Sequence, residues 1–291
     1  MIKKGLLFTA IFFIINASFA QQYVTTGDFD RNSKVSFGAS YNVFNGELRE
    51  VADPNIQGSL GFTLGYEHFL RSAKNISLRG NLSLYTIKGS DSKAPQQSRV
   101  DRNLSFKATN FEFTVQALYY LSPLPATGYK DRAFLTPYVM LGAGITSNNP
   151  TAELDSAGFT TQYKLRPMRL EGEQYGSIAA IIPVGFGLNF FLNRTIDIQL
   201  EAQYNLALTG FLDDVSTVYR DPISFGPDQD KAAQLSDRRP EIGLPPAAAG
   251  DLRGNGKNDA YFRLGFRLNY YLPKSLYGKS ALRCIINKKT R

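Results

Sequence analysis

The stretch IPVGFGLNFFLNRTIDIQLEAQYNL, residues Ile182–Leu206, decides the fold, because apolar side chains alternate with small or polar ones on both sides of a short break. Successive side chains of a strand point to opposite faces, so a period of two predicts strands with one apolar face each. The break, Asn193–Thr195, has the length of a tight turn. The apolar phase consists of Ile182, Val184, Phe186, Leu188 and Phe190, followed by Ile196, Ile198, Leu200, Ala202, Tyr204 and Leu206.

The same alternation occurs six more times along the chain. These six segments are Val35–Val43, Leu60–Tyr66, Ile76–Leu84, Phe111–Tyr119, Val139–Ile145 and Phe262–Tyr270. The sequence therefore predicts eight strands, and strands of about ten residues are long enough to cross a membrane when they are tilted. A soluble β-sandwich also alternates in this way, so the choice between the two folds needs further features.

The lengths of the connections favour a barrel, because short and long ones follow one another without exception. The short connections are Arg71–Asn75, Ser122–Ala133 and Asn193–Thr195, and the long ones are Gly46–Asn55, Lys88–Leu104, Ser147–Ser177 and Thr209–Ala260. Outer-membrane barrels have short periplasmic turns and long external loops. We therefore predict an all-β fold, an eight-stranded antiparallel up-and-down transmembrane β-barrel over residues 34–272, in contact with outer-membrane lipid and with both termini in the periplasm.

A repeated aromatic ending marks each strand that precedes a short connection, and the last strand of the chain. Aromatic rings collect where strands cross the headgroup layer, so these endings predict a girdle at one membrane interface. The predicted girdle residues are His68, Phe69, Tyr119, Tyr120, Phe190, Phe191, Tyr270 and Tyr271. We expect Tyr120, Phe191 and Tyr271, together with the short turns, to form a contact face for a periplasmic partner.

The polar phase of the strands predicts the inside of the barrel. Backbone groups in lipid must all be paired, so the sheet has to close, and eight strands leave room only for side chains. The charged residues predicted in the lumen are Glu67, Arg79, Glu112, Asp197, Glu201, Arg263 and Arg267. We therefore expect a plug of polar side chains and ion pairs, which excludes a diffusion porin.

The two ends of the chain carry the excess of positive charge. Residues 1–20 have the pattern of a signal peptide, with Lys3 and Lys4 before an apolar run and Ser18-Phe19-Ala20 at the cleavage site. A periplasmic segment, residues 21–33, follows, and residues 273–291 form a basic tail. Without the two lysines of the leader and the six basic residues of the tail, the 33 bases fall to 25, which balance the 25 acids. This neutral body excludes a nucleic-acid partner.

Several segments resemble a known family in their order along the chain. They are NVFNGEL (Asn42–Leu48), RNLSFKATNFEF (Arg102–Phe113), PYVMLGAGI (Pro137–Ile145), IPVGFGLNFFL (Ile182–Leu192), LDDVSTVY (Leu212–Tyr219) and RGNGKNDAYF (Arg253–Phe262). The sequence resembles the Bacteroidota outer-membrane β-barrel family that includes PorG, a component of the type IX secretion system. LDDVSTVY and the RGN…ND stretch are the more specific segments, because strand alternation does not dictate a loop sequence. The first contains the loop motif Asp213, Asp214, Ser216, Thr217 and Tyr219.

The resemblance implies a barrel without enzymatic activity that supports protein secretion across the outer membrane. It also implies association with a periplasmic ring of the same machinery. The family contains related copies of unassigned role. The basic tail departs from the pattern of barrel proteins, which usually finish on or near their last strand.

Other chemistry has weaker support in the sequence. His68 is the only histidine, and a catalytic triad with a serine and an acid competes with an interfacial role, which we favour. Asp213 and Asp214 could bind Ca²⁺, but we favour hydrogen bonds to the local backbone that order the loop. We therefore predict no catalytic residue, cofactor or metal site. The alternatives are a stand-alone surface-loop barrel, with a ligand-binding or envelope-stabilising role, and a lipid-modifying enzyme.

Overall fold

The computed structural model describes residues 33–48, 58–70, 73, 75–92, 94–122, 133–156, 159–193, 195–225 and 229–272. The predicted signal peptide, nearly all of the segment that follows it, the basic tail and most of the Ser122–Ala133 turn lie outside these residues. The strands are β1 (Ser33–Asn45), β2 (Ser59–Phe69), β3 (Ile76–Ser90), β4 (Ser105–Tyr120), β5 (Leu135–Ser147), β6 (Thr151–Ser156), β7 (Phe159–Lys164), β8 (Ile178–Phe191), β9 (Ile196–Ala207) and β10 (Ala260–Tyr271). Two short α-helices, α1 (Gln97–Arg102) and α2 (Gln229–Ser236), lie between strands.

Eight of these strands form a closed barrel, which confirms the predicted eight-stranded antiparallel up-and-down fold. β1 to β5 pair in chain order, β5 pairs with β8, and β8, β9 and β10 continue the sheet. β10 returns to β1 in a continuous antiparallel register from Lys34↔Tyr271 to Asn45↔Ala260. The barrel therefore has no free edge in its membrane-spanning part, as a sheet surrounded by lipid requires.

The connections divide the barrel into two ends. At the short-turn end lie the β2–β3, β4–β5 and β8–β9 turns, together with the start of β1 and the end of β10. At the long-loop end lie the β1–β2 loop, the β3–β4 loop with α1, the β5–β8 loop and the β9–β10 loop with α2. The predicted loop Ser147–Ser177 contains more structure than expected, since β6 and β7 form a hairpin within it.

The outer surface between the two ends is a belt of exposed apolar side chains. Leu60, Phe111 and Phe186, for example, are 69%, 71% and 60% exposed. A belt of this extent on every strand has to be covered by acyl chains, because exposing so large an apolar surface to water is energetically unfavourable. No helix among the described residues is long and apolar enough to cross a membrane.

The polarity of the barrel reverses beyond the belt, at the long-loop end. β3 and β4 continue there, with Tyr85, Ile87 and Phe106 turned inward and Lys88 and Lys107 turned outward. The inward side chains build an apolar core under the loops: Phe44, Leu48, Tyr85, Ile87, Leu104, Phe106, Ala108, Ala179, Ile181, Ala207, Leu212, Val215 and Tyr261. β3 extends to Ser90, so Lys88, the predicted first residue of the Lys88–Leu104 connection, still belongs to the strand. The apolar-out pattern used to find strands ends at Leu84 because the barrel leaves the membrane there.

The long loops have a core of their own. It joins the β6–β7 hairpin, the segment after β7 and α2 through Ala152, Leu154, Leu165, Leu170, Phe225, Ala232 and Leu235. Among the described residues, Lys107↔Thr151 is the only strand pairing between this hairpin and the barrel. Its position therefore depends on this apolar contact with the β9–β10 loop. We call these packed loops the loop layer.

Candidate functional site

The middle of the lumen contains a carboxylate between two arginines. Arg267 Nε donates to Glu201 Oε2 at 2.8 Å, and Arg79 Nη1 binds the other oxygen, Oε1. Tyr138 also donates to Oε1, at 2.7 Å. Gly187, the register partner of Tyr138, leaves room for this ring, since a Cβ there would collide with it. All four polar side chains are buried, so the ionic bonds fill the lumen at this level.

A second ion pair lies towards the long-loop end. Arg263 binds Glu112 through two parallel bonds, Nη1 to Oε1 at 2.8 Å and Nη2 to Oε2 at 3.0 Å. Tyr261 donates to the same carboxylate, and Arg263 Nε donates to Asn42 Oδ1 at 2.9 Å. Such bidentate geometry is specific to arginine and fixes the side chain in one orientation.

A third group, towards the short-turn end, is centred on Lys34, which is not among the predicted lumen charges. Lys34 is fully buried, with Nζ 3.2 Å from Asp197 Oδ2 and 3.5 Å from Glu67 Oε2. Its position in the polar phase of β1 was a usable signal, but the predicted strand began one residue later, at Val35. The structure places Lys34 and all seven predicted lumen charges inside the barrel: Glu67, Arg79, Glu112, Asp197, Glu201, Arg263 and Arg267.

The predicted aromatic girdle is half wrong. His68, Tyr119 and Tyr270 are exposed on the outer face and Phe190 is half-buried there, but their chain neighbours Phe69, Tyr120, Phe191 and Tyr271 point inward and are buried. The reason is strand geometry, because two consecutive residues cannot share a face. The interfacial role of the four outward residues stays a prediction.

The four inward rings instead close the short-turn end of the lumen. They pack with Leu118, Tyr138 and Met140 in one cluster. Lys34 Nζ lies 5.5 Å from the ring centres of Phe69 and Tyr271 and 5.9 Å from that of Tyr120, within the range of cation–π attraction. From one end to the other, the described lumen therefore contains an aromatic cluster, an ionic middle and an apolar core.

The loop motif makes its contacts mainly with distant parts of the chain. Glu171, in the β5–β8 loop, accepts hydrogen bonds from the backbone N–H groups of Ser216 and Thr217, and from the Thr217 hydroxyl at 2.8 Å. Arg253 binds Glu171 Oε1 at 2.9 Å. The expected local bonding is found for Asp213, which accepts from Val215 N at 3.0 Å, but Ser216 and Thr217 depend on a residue some forty positions away.

Asp214 belongs to the same contacts. Its Oδ1 accepts a hydrogen bond from the Tyr175 hydroxyl, and its backbone carbonyl accepts one from Arg253. Burial raises the pKa of Asp214 to about 7, although Arg253 opposes the rise. Tyr219 is buried and is held by backbone bonds with Gly250 and Asp251. Glu171 and Tyr175 are thus partners of the motif that no pattern in the sequence indicated.

A cluster of three buried carboxylates lies where the loop layer meets the barrel. Glu47, Asp213 and Asp259 each offer an oxygen, and these oxygens lie within 4.8 Å of one another. Burial raises the pKa of all three side chains, and the neighbouring carboxylates raise those of Asp213 and Asp259 further. Burial is therefore the main cause of these pKa shifts, and the neighbouring carboxylates add to it at Asp213 and Asp259.

His68 has a hydroxyl partner at the short-turn end. Its Nδ1 lies 2.8 Å from Ser33 Oγ, and Ser33 Oγ accepts a hydrogen bond from the Tyr66 hydroxyl at 3.0 Å. A hydrolytic triad also needs a carboxylate to orient the imidazole. Within the described residues, no hydrogen bond or ion pair joins His68 to a carboxylate, and the neighbouring Glu67 points into the lumen.

The fold is similar to those of solved outer-membrane proteins. Neisserial surface protein A (NspA) is 12% identical with a TM-score of 0.38, over 82% of this chain and 97% of that one. Ail, the attachment invasion locus protein of Yersinia pestis, is 12% identical with a TM-score of 0.36, over 83% and 98%. A major outer membrane protein from Thermus thermophilus is 10% identical with a TM-score of 0.38, over 82% and 99%.

No family model matches the chain, and no curated protein matches it. The class of protein follows from the structure itself. A closed eight-stranded barrel, with a continuous apolar belt outside and polar side chains inside, is the architecture of an integral outer-membrane β-barrel.

Proposed function

We propose that this protein is a non-enzymatic outer-membrane barrel that acts through contacts, as an accessory subunit of type IX protein secretion. The observation that carries the first part is the filled lumen, with its three ionic groups between an aromatic cluster and an apolar core. A barrel packed in this way offers its two ends and its outer wall for function. The assignment to type IX secretion is supported by the family resemblance, whose two specific loop segments meet at Arg253.

The proposal places the short-turn end, with both chain termini, in the periplasm, where it contacts a ring protein of the machinery. The structure changes the expected contact face, because Tyr120, Phe191 and Tyr271 are buried inside the barrel. Leu192 and Phe134, which are 51% and 66% exposed at this end, are better placed to touch a partner. The loop layer would then face the outside of the cell.

Deletion of the gene tests the secretion role. We expect export of type IX cargo to fall sharply and to return when the wild-type gene is supplied. Normal export in the deletion strain would contradict the proposal, provided that no second copy of the gene replaces it.

In-cell photo-crosslinking tests the contact face. A cross-linker at Leu192 should capture a ring component, whereas a cross-linker at Leu252, which is 80% exposed in the loop layer, should not. Equal capture from both positions, or capture only from Leu252, would contradict a periplasmic contact through the short turns.

A second candidate is a surface barrel that binds an extracellular ligand, and one cleft favours it. The cleft has a volume of about 660 Å³ and lies in the loop layer between Leu154, Phe225 and Pro240. Arg220 lies over the Phe225 ring at 5.6 Å, at the margin of this cleft. Normal secretion in the deletion strain, with loss of binding to a surface ligand, would favour this function.

A further inference from the structure

Glu47, Asp213 and Asp259 come from three separate segments that meet at the long-loop end. Glu47 follows β1, Asp259 precedes β10, and Asp213 lies near the start of the β9–β10 loop. All three side chains are buried, at 8%, 0% and 0% exposure, and their carboxylate oxygens approach within 4.8 Å of one another. An arrangement of three anions away from water is costly unless protons or a cation offset the charge.

The backbone holds these carboxylates in place without neutralising them. Asp213 accepts from Val215 N at 3.0 Å and from Leu48 N at 3.2 Å. Asp259 Oδ2 accepts from Leu212 N at 2.9 Å, and Glu47 Oε1 accepts from Asn255 N at 3.2 Å. Every one of these donors is a neutral peptide N–H, so the hydrogen bonds orient the oxygens but supply no full positive charge.

The nearby cation is committed elsewhere. Arg102 acts on Glu47 and Asp213 from a distance, but its guanidinium binds Asp91 through two bonds, Nε to Oδ2 at 2.6 Å and Nη2 to Oδ1 at 3.0 Å. Asp91 is fully buried and also binds Arg99, so two guanidinium groups share this one carboxylate. Among the described residues, no hydrogen bond or ion pair joins the Arg102 guanidinium to any of the three carboxylates, so it offsets their charge only from a distance.

One oxygen in the cluster lacks a donor altogether. Asp259 Oδ1 is buried and, within the described residues, has no hydrogen-bond partner. It lies against Gly46, next to Glu47, since a Cβ on Gly46 would collide with it. The Glu47 and Asp259 carboxyl groups also lie within hydrogen-bonding reach of each other, so a proton or a cation has to lie between them.

We propose that Glu47, Asp213 and Asp259 bind one hard divalent cation, Ca²⁺ or Mg²⁺. The ligand chemistry fits, because all three offer oxygen, which these ions prefer, and Ca²⁺ takes such ligands at about 2.3–2.6 Å. Softer metals lack ligands here, since the one histidine, His68, lies at the other end of the barrel. The ion ties the β9–β10 loop to the rim between β1 and β10, and so fixes the loop layer on the barrel.

Calorimetric titration of the full-length protein in an uncharged detergent, first freed of metal with EDTA, tests the site. With calcium chloride or magnesium chloride, we expect one saturable site per chain. Asp259→Asn should weaken the affinity at least about tenfold, as loss of a metal-site partner typically does. Asp230→Asn, an exposed residue of α2 in the same loop, is the matched control and should bind as the wild type does.

Trypsin digestion of the loops gives a second readout and shows that the variants are folded. Either ion should lengthen the lifetime of the β9–β10 loop in the wild type and in Asp230→Asn, but not in Asp259→Asn. Without metal, Asp259→Asn should resist trypsin at least as well as the metal-free wild type, because it carries one charge less in a crowded place.

Three results would overturn the proposal. The first is no saturable binding of either ion by the wild type. The second is equal affinity in Asp259→Asn and Asp230→Asn, which indicates binding elsewhere on the surface. The third is protection of the wild-type loops by acidification but by neither ion, which would mean that the carboxylates share protons instead.

Discussion

At the scale of single residues, the buried carboxylate of Glu201 is shared by two arginines in the lumen. Arg79 and Arg267 bind its two oxygens, and Tyr138 donates to one of them. Removing the charge leaves two buried guanidinium groups without their shared anion. We expect Glu201→Gln to lower the free energy of unfolding by about 3–5 kcal/mol, the range typical of broken buried ion pairs.

Urea unfolding of the protein in phospholipid vesicles measures this change. Glu153→Gln, at an exposed position of β6, is the control and should shift the free energy by less than about 0.5 kcal/mol. If the two variants unfolded at the same urea concentration, Glu201 would have no structural role in the lumen.

Residue positions were predictable from the sequence wherever the strand phase could be followed. The phase placed Glu201 and the other lumen charges correctly, and the same rule would have turned Phe69, Tyr120, Phe191 and Tyr271 inward had it been applied to the aromatic endings. Contacts between distant parts of the chain could not be predicted from the sequence. The pairing of Arg253 with Glu171 depends on how two long loops fold over each other, and no local pattern encodes that.

At the scale of elements, strands were easier to predict than the structure of the loops. The apolar-out alternation found all eight barrel strands because lipid imposes it. It failed beyond Leu84, where Tyr85 and Ile87 point inward as in a soluble protein. The β6–β7 hairpin was not predicted because β7 follows neither pattern, since Phe159 is 77% exposed among largely polar neighbours. In β6, only Ala152 and Leu154 alternate with polar residues, which is too short a run to identify a strand.

The loop layer should open without unfolding the barrel. Leu235 of α2 is 2% exposed and packs with Leu154 and Leu165 in the loop core. Leu235→Ala leaves a cavity in this core and should weaken it by about 2–5 kcal/mol. We expect faster trypsin cleavage within residues 208–259, while the gel mobility shift on boiling, which reports the intact barrel, stays unchanged.

Leu252→Ala is the matched control for this experiment, since Leu252 is 80% exposed in the same loop. Its cleavage rate should equal that of the wild type. If Leu235→Ala also lost the boiling-dependent shift, the loop layer and the barrel would form one cooperative unit, contrary to this expectation.

At the scale of the whole molecule, the polarity of the barrel differs between its two levels. In the membrane it is apolar outside and ionic inside, while the extensions of β3 and β4 at the long-loop end are polar outside and cover an apolar core. A closed wall around a packed interior is rigid, so we expect recognition to occur at the ends. This architecture depends on consecutive strand residues, of which one side chain faces the lipid and the next faces the lumen.

Lipid contact of two residues on neighbouring strands tests the central claim most directly. Phe186 lies opposite Val139 and points outward with 60% exposure, whereas Tyr138, opposite Gly187, is 1% exposed in the lumen. The chain has no tryptophan, so Phe186→Trp and Tyr138→Trp each introduce a single fluorescent reporter. In vesicles of bromine-labelled phospholipid, the inside-polar barrel predicts strong quenching of Phe186→Trp and little quenching of Tyr138→Trp. Equal quenching, or stronger quenching of Tyr138→Trp, would contradict it.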